Sequence, residues 1–197
     1  MNLPNKITTF RMVCVIIVNF LLLFPWEACG VNLPIVFGNV NVIYLISCII
    51  FLVASFSDFL DGYLARKLNL VTTYGKFMDP IADKLLVDSL FIVCAIKLPS
   101  LVPATVVVIM IARDLLVDAL RQVAATKGIV LAANMWGKVK TVTQMIALTL
   151  VLLNDWPFQL INGIPYPITA IICWVAAGVS FISGLLYFTK NLKVFKD

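Results

Sequence analysis

Long apolar segments constrain this chain more than any other feature. Six mostly hydrophobic stretches alternate with short polar connections, at residues 7–24, 40–66, 80–96, 102–126, 139–153 and 168–188. A helix needs about 20 mostly apolar residues to cross a lipid bilayer. Because 62% of the residues are hydrophobic and 13% are charged, we expect an all-α polytopic membrane protein with six transmembrane helices. We also expect a single membrane domain over residues 1–197, since these helices leave no room for a sizeable soluble domain.

The positions of lysine and arginine predict the orientation of these helices. Basic residues are enriched near the cytoplasmic ends of transmembrane segments. With six spans, one side of the membrane receives Lys6, Arg11, Arg66, Lys67, Lys76, Lys127, Lys138, Lys140, Lys190, Lys193 and Lys196. The other side receives only Lys97, together with two turn-rich loops at residues 25–39 and 154–167. We therefore expect both termini to be cytoplasmic, in a multi-pass protein of the cell membrane.

Four aspartates flank the second connection. Asp58 and Asp61 are three residues apart at the end of the second predicted helix. Asp79 and Asp83 are four residues apart at the start of the third. Both spacings place the two side chains on one helical face, so a helical hairpin can bring the two pairs together.

Carboxylates at membrane depth require a compensating charge, a wet cavity or protonation. The chain has no histidine, and oxygen ligands alone favour Mg²⁺ or Mn²⁺, with Ca²⁺ as a competitor, over Zn²⁺. The sequence therefore indicates a divalent-metal site. A second interpretation is an interfacial charge network, in which the aspartates pair with neighbouring basic residues: Arg66, Lys67, Lys76 and Lys84.

The order of residues from Asp58 to Asp83 resembles the signature of the CDP-alcohol phosphotransferase family, D-x2-D-G-x2-A-R-x8-G-x3-D-x3-D, with every fixed position filled. The resemblance implies a six-helix membrane enzyme, usually a homodimer. Such an enzyme transfers a phosphatidyl group from a CDP-linked lipid to an alcohol and releases CMP. Its active site would face the cytoplasm.

The resemblance also implies a role for each position of the motif. The expected ligands of two divalent ions, Mg²⁺ or Mn²⁺, are Asp58, Asp61, Asp79 and Asp83. Asp83 is also the expected general base, because the attacking alcohol needs a proton acceptor. The expected binding residues for the CDP-lipid are Gly62, Ala65, Arg66 and Gly75. Asn5 and Thr8 are candidates for the same nucleotide side, although both also suit the start of a helix as caps.

Three further segments resemble the members of this family that make phosphatidylglycerophosphate: residues 3–11, 113–114 and 137–145. They imply CDP-diacylglycerol as donor and sn-glycerol 3-phosphate as acceptor. Asp114 departs from that resemblance, because a glutamate commonly follows the arginine in those enzymes. Arg113 lies about 13 residues, roughly 20 Å of helix, from the cytoplasmic end of its predicted helix. An arginine at such depth indicates a polar cavity.

We expect the acceptor phosphate to bind Arg113, Lys138 and Lys140, since arginine offers a planar fork and lysine a mobile charge. Alternatively, the two lysines mark the membrane interface, and Arg113 forms a salt bridge with Asp114 or Asp118. A phosphate-binding set favours a phosphorylated acceptor over serine, but inositol phosphate and phosphatidylglycerol stay open. A divalent-cation transporter is a competing class, because intramembrane carboxylates also mark ion paths. We expect no nucleic-acid partner, since the basic residues form no aromatic-interleaved patch.

Overall fold

The computed structural model describes residues 3–67, 73–129, 131, 135–161 and 166–192, with side chains described except at residues 3, 4, 58–67, 73, 74 and 76. This part of the chain contains six α-helices, which confirms the expected helical class. They are α1 (Leu3–Leu23), α2 (Val42–Lys67), α3 (Thr73–Lys97), α4 (Ala104–Thr126), α5 (Met135–Leu152) and α6 (Ile168–Lys190). Two short antiparallel strands, β1 (Ile35–Phe37) and β2 (Val40–Asn41), lie between α1 and α2.

The predicted start of the third helix, at residue 80, is wrong. Helix α3 begins at Thr73 and contains Pro80 in its interior. Proline is usually tolerated in the first turn, where its missing N–H is not needed. Here the preceding turns are held by tertiary contacts, because Gly75 is buried and Asp79 accepts a hydrogen bond from α1. Asp79 and Asp83 therefore lie well inside the helix and not at its start.

Other helix ends differ by a few residues from the prediction. Helix α1 begins at Leu3 rather than residue 7, since Pro4 is compatible with a first turn. Helix α2 begins at Val42 rather than residue 40, because the Asn41 side chain caps it by accepting a hydrogen bond from the Tyr44 N–H at 3.0 Å. Helix α5 begins four residues earlier than expected. Local capping and packing thus decide the ends that hydropathy leaves open.

The helices form two groups that α2 and α3 connect. Helix α1 packs against α2 and α3, whereas α6 packs against α4 and α5. Helix α3 also contacts α4 and α5, and α2 contacts α5. The buried core between them includes Val18, Phe51, Leu90, Phe91, Met110 and Leu148. This arrangement brings polar residues of α3, α4, α5 and α6 to one region.

The outer surfaces of α1 and α6 are apolar. Large hydrophobic side chains that are exposed on these two helices include Phe10, Ile16, Phe20, Trp174, Phe181 and Leu185. Extended apolar surfaces of this kind are rare on soluble monomers and suit contact with lipid. Among the described residues, Asn5–Leu23 and Ile168–Lys190 are long and apolar enough to cross a membrane. Helices α3 and α4 carry several charged residues, which lower their hydropathy.

The two turn-rich loops meet at one end of the helices, as expected. The Asn154 side-chain amide donates to the Asn39 carbonyl oxygen at 2.9 Å, and the rings of Phe37 and Trp156 pack edge to face. Asp155 in the second loop also accepts a hydrogen bond from the backbone N–H of Thr169, in the first turn of α6. The two loops therefore lie at the same end of the helices, as the prediction requires, while their side of the membrane stays a prediction.

Candidate active site

The inward face of α1 lies against α3. Thr8 Oγ1 donates a hydrogen bond to Asp79 Oδ1 at 2.6 Å, and Thr8 is 1% exposed. Asn5 and Arg11, three residues to either side of Thr8, are also buried. Because α1 begins at Leu3, Asn5 and Thr8 lie within the helix, and their interpretation as helix caps is wrong. The structure instead brings Thr8 to one of the predicted metal ligands.

Three motif residues follow each other along one face of α3. Gly75, Asp79 and Asp83 are spaced at four-residue intervals, which places them one above the other. Gly75 is buried, and both aspartates are partly buried. The side chains of the remaining motif residues lie outside the described residues: Asp58, Asp61, Gly62, Ala65 and Arg66. Their predicted roles stay predictions.

A polar cavity of about 220 Å³ lies between α3, α4, α5 and α6. It unites four residues that the sequence singled out for catalysis or acceptor binding: Asp83, Arg113, Lys138 and Lys140. Its other polar side chains are Lys84, Asp114, Asp118, Arg121, Thr141 and Tyr187. The proposed general base and the proposed phosphate-binding residues therefore share one cavity.

Asp114 joins two of the basic residues in this cavity. Its Oδ1 accepts a hydrogen bond from Arg113 Nη1 at 2.8 Å, and its Oδ2 accepts one from Lys140 Nζ at 2.5 Å. The three side chains are 6–12% exposed. A buried cation needs a compensating charge, and Asp114 supplies one negative charge for two cations. The alternative in which Arg113 pairs with Asp114 is thus part of the arrangement.

Helix α6 supplies the second contact of Arg113. Arg113 Nη2 donates a hydrogen bond to Ser183 Oγ at 2.8 Å. A Cβ atom at the next residue, Gly184, would lie 2.6 Å from Arg113 Cγ. The arginine side chain therefore lies directly against the backbone of α6.

Several residues of the cavity were not predicted as site residues. Lys84 forms an ion pair with Asp118. Arg121 Nε donates a hydrogen bond to Tyr187 Oη at 3.3 Å, and its guanidinium lies 5.4 Å from the centre of the Tyr187 ring. The charged residues of α4 do carry a signal in the sequence, because their spacing of one, four and three residues marks one helical stripe: Arg113, Asp114, Asp118 and Arg121.

Basic residues outnumber acidic ones in the cavity. Five lysine or arginine side chains and three aspartates line it. Within the described part of the chain, Arg121 and Lys138 form no ion pair with a carboxylate. A surplus of positive charge in a confined polar space favours an anion such as a phosphate group.

The described part of the predicted metal site has suitable donors. In that part of the chain, no group of three acidic, cysteine or histidine side chains is close enough to hold a metal ion. However, two of the four predicted ligands have side chains outside the description. The other two, Asp79 and Asp83, are oxygen donors on one face of α3, and hard divalent cations prefer such ligands. The residues present therefore fit one half of an oxygen-ligand site.

Apolar outer helices, paired carboxylates and a basic cavity together define a class: a helical membrane enzyme that handles phosphate-bearing substrates. The sequence model of CDP-alcohol phosphatidyltransferases matches residues 1–182. The chain belongs to the CDP-alcohol phosphatidyltransferase family. This family is generally dependent on divalent cations.

Curated relatives resemble this chain over nearly its whole length. A protein of Bacillus subtilis is 42% identical over 195 residues, which cover 99% of this chain and 97% of the relative. A protein of Rickettsia bellii is 35% identical over 196 residues, covering 98% and 97%. Both are named CDP-diacylglycerol–glycerol-3-phosphate 3-phosphatidyltransferase.

Proposed function

We propose that this chain transfers the phosphatidyl group of CDP-diacylglycerol to sn-glycerol 3-phosphate, giving phosphatidylglycerophosphate and CMP. The family match and the shared activity name of its relatives support this reaction. The structural observation that carries the proposal is the cavity that combines Asp83 with five basic side chains. Such a cavity suits an acceptor that has both a reacting hydroxyl group and a phosphate.

The acceptor phosphate is bound by Arg113, Lys138 and Lys140, as the sequence predicts, and we add Arg121. Arg121 and Lys138 have no carboxylate partner among the described residues, and both line the cavity, so their charges support this assignment. Arg113 and Lys140 bring two charges that share one carboxylate, Asp114. Phosphate contacts at this end hold the glycerol with its free hydroxyl toward Asp83, which lines the same cavity.

The reaction is an in-line displacement at the phosphorus of the phosphatidyl group. The acceptor hydroxyl oxygen forms the new P–O bond, while the bond between that phosphorus and the CMP oxygen breaks. Asp83 takes the hydroxyl proton, and CMP leaves with the bonding electrons. A carboxylate is the available type of base in a chain without histidine.

On the donor side, Asn5, Thr8 and Gly75 line the nucleotide part of the site, together with Gly62, Ala65 and Arg66. The partly buried hydrogen bond from Thr8 to Asp79 supports this placement, since it brings α1 to the motif helix. Two divalent ions, Mg²⁺ or Mn²⁺, would be held by the four motif aspartates: Asp58, Asp61, Asp79 and Asp83. When bound, they supply positive charge for the diphosphate and its leaving oxygen.

The acceptor distinguishes this proposal from its nearest alternatives. An enzyme that used inositol phosphate, serine or phosphatidylglycerol as acceptor could have the same aspartate motif. The names of the relatives specify glycerol 3-phosphate as their acceptor. Purified protein in detergent should be given CDP-diacylglycerol with each alcohol in turn, and both CMP and the lipid product measured by mass spectrometry. We expect rapid CMP release only with sn-glycerol 3-phosphate. Preferential turnover of another alcohol would refute the assignment. Cation flux through the protein in sealed lipid vesicles, without CMP release, would indicate a transporter.

Metal dependence is a second expected result. Excess EDTA should reduce CMP release to background, because the carboxylates need divalent charge to hold the anionic diphosphate. Adding Mg²⁺ or Mn²⁺ in excess of the chelator should restore it. EDTA that is already saturated with Mg²⁺ is the matched control and should have no effect. Full turnover in excess free EDTA would contradict the metal mechanism.

We also propose six membrane spans, cytoplasmic termini, a cytoplasmic-facing active site and a homodimer. The apolar outer faces and the meeting of the two turn-rich loops at one end support the topology. Lys97 and Glu27 line a cavity at that same end. This position of Lys97 agrees with the expectation that it is the one basic residue on the side of the two loops.

The cysteines of the chain offer a test of this orientation. Cys29 lies in the first turn-rich loop and is exposed, whereas the other four cysteines are buried. A membrane-impermeant maleimide should label Cys29 in right-side-out vesicles, and Cys29→Ser should abolish the signal. In the Cys29→Ser background, Lys190→Cys should be labelled only in inverted vesicles. The reverse pattern would place the termini outside.

A further inference from the structure

The side chain of Arg113 is held by α6, a helix to which the sequence assigns no function. Its two terminal nitrogens have different partners, since Nη1 donates to Asp114 Oδ1 and Nη2 donates to Ser183 Oγ, each at 2.8 Å. Ser183 is 1% exposed, so water does not replace its hydroxyl group. With both ends bound, the guanidinium plane has one orientation.

Gly184 determines where the aliphatic part of Arg113 runs. A Cβ atom at residue 184 would lie 2.6 Å from Arg113 Cγ, 3.5 Å from Nε and 3.6 Å from Cδ. Non-bonded carbon atoms have their optimal separation at about 3.5–4.0 Å. Any side chain larger than hydrogen at this position would therefore displace Arg113. No other residue type leaves the path of the arginine free.

Arg113 also lies at the boundary between two different spaces. It lines the polar cavity and also an apolar groove of about 420 Å³ between α4 and α6, whose walls include Phe181, Leu185 and Phe188. Hydrogen bonds to a phosphate need donor–acceptor distances of about 2.7–3.2 Å. A small shift of the arginine would break them, and a misplacement of about 1 Å can reduce a rate by roughly 100-fold.

We infer that Ser183 and Gly184 are positioning residues for acceptor binding: together they hold the Arg113 guanidinium where it contacts the phosphate of the acceptor. This inference rests on the proposed function, in which Arg113 binds that phosphate. Neither residue touches the substrate. Gly184 provides the space for the arginine, and the Ser183 hydroxyl group sets its orientation.

Two substitutions on α6, each with a control substitution at a nearby position of the same helix, test this inference. Gly184→Ala adds the conflicting Cβ, whereas Gly178→Ala adds a Cβ that meets no atom within 4 Å. Ser183→Ala removes the hydrogen-bond acceptor. Ser180→Ala removes a buried hydroxyl group that has no hydrogen-bond partner among the described residues. Each matched control thus changes the same residue type one or two turns away without touching Arg113.

Steady-state kinetics should separate acceptor binding from donor binding. Gly184→Ala and Ser183→Ala should raise the KM for sn-glycerol 3-phosphate by about 10-fold or more, because a displaced guanidinium loses hydrogen bonds to a charged phosphate. The KM for CDP-diacylglycerol should stay near the wild-type value. Ser183→Thr keeps a hydroxyl group and should recover most of the acceptor affinity. Gly178→Ala and Ser180→Ala should resemble wild type.

An Arg113→Ala background tests whether both residues act through the arginine. Arg113→Ala should itself raise the acceptor KM, and Gly184→Ala should add almost nothing to it, because effects on one shared contact are not additive. Independent, additive effects would overturn the inference, as would an increase confined to the donor KM or an unchanged acceptor KM in folded protein. If Gly184→Ala does not fold, as judged by size-exclusion chromatography, Ser183→Ala decides the question. Failure of the proposed function is distinct, since wild-type protein would then release no CMP with glycerol 3-phosphate.

Discussion

Asp83→Asn should abolish phosphatidyl transfer while leaving much of the affinity for CDP-diacylglycerol. The amide has nearly the size of the carboxylate but neither its negative charge nor its capacity to accept a proton. Loss of a general base typically reduces a rate by about 10²–10⁴-fold. Asp83 lines the cavity that also contains the acceptor-binding residues. It is also a proposed metal ligand, so loss of a metal contact adds to the effect on turnover, and the donor affinity separates the two roles.

Asp79→Asn is the matched comparison, one turn away on α3. Asp79 accepts the hydrogen bond from Thr8 and faces the proposed nucleotide side. Its substitution should weaken donor binding together with turnover, because the anionic diphosphate then meets a weakened metal site. Donor affinity and single-turnover rate should be measured for both variants in protein shown to be folded. Near-normal turnover by Asp83→Asn would rule out an essential base at this position.

Asp114→Asn should lower the thermal stability of the protein more than any other single substitution named above. The substitution removes the carboxylate that compensates Arg113 and Lys140, and all three side chains are largely buried. Breaking a buried ion pair by removing one partner costs about 3–5 kcal/mol. At about 2–4 °C per kcal/mol for a domain of this size, the Tm should fall by roughly 6–20 °C.

The ion pair of Lys84 and Asp118 provides a control for this stability prediction. Its side chains are 32% and 35% exposed, and partly exposed pairs contribute only about 0–1 kcal/mol. Asp118→Asn should therefore change the Tm of the purified protein far less than Asp114→Asn does. Asp114→Glu keeps the charge and should retain most of the stability. Equal Tm values for Asp114→Asn and wild type would show that this carboxylate does not stabilise the two cations.

The sequence predicted the number and approximate positions of the helices, because hydrophobic length and periodicity are local properties of the chain. It predicted the beginning of α6 at residue 168 correctly. It placed the start of α3 seven residues too late, because the apolar run begins only after the polar and charged residues that precede Pro80. The turns before Pro80 are held by contacts with α1, and no local rule indicates such contacts.

Part of the candidate site was also predictable, because its motif residues are recognised by their order along the chain. The aspartate motif and the residues Arg113, Lys138 and Lys140 were found by their order and by resemblance to a family. The structure places Asp83 in one cavity with these three basic residues. Arg121 was not singled out, although it lies on the charged stripe of α4. Ser183 and Gly184 could not be singled out, because a lone serine or glycine in an apolar helix has no distinctive pattern.

The sequence by itself determined the class of protein and its chemistry. Helix length, apolar composition and the spacing of carboxylates along a helix all follow from the order of residues within one segment. Only the tertiary structure decided which charged groups share a cavity and with which partner each one pairs. Lys140 and Asp114 are 26 residues apart, and Arg113 and Ser183 are 70 apart. Contacts over such separations depend on how whole helices pack, so the pairing of Asp114 with two cations and the support of Arg113 by α6 emerge only from the fold.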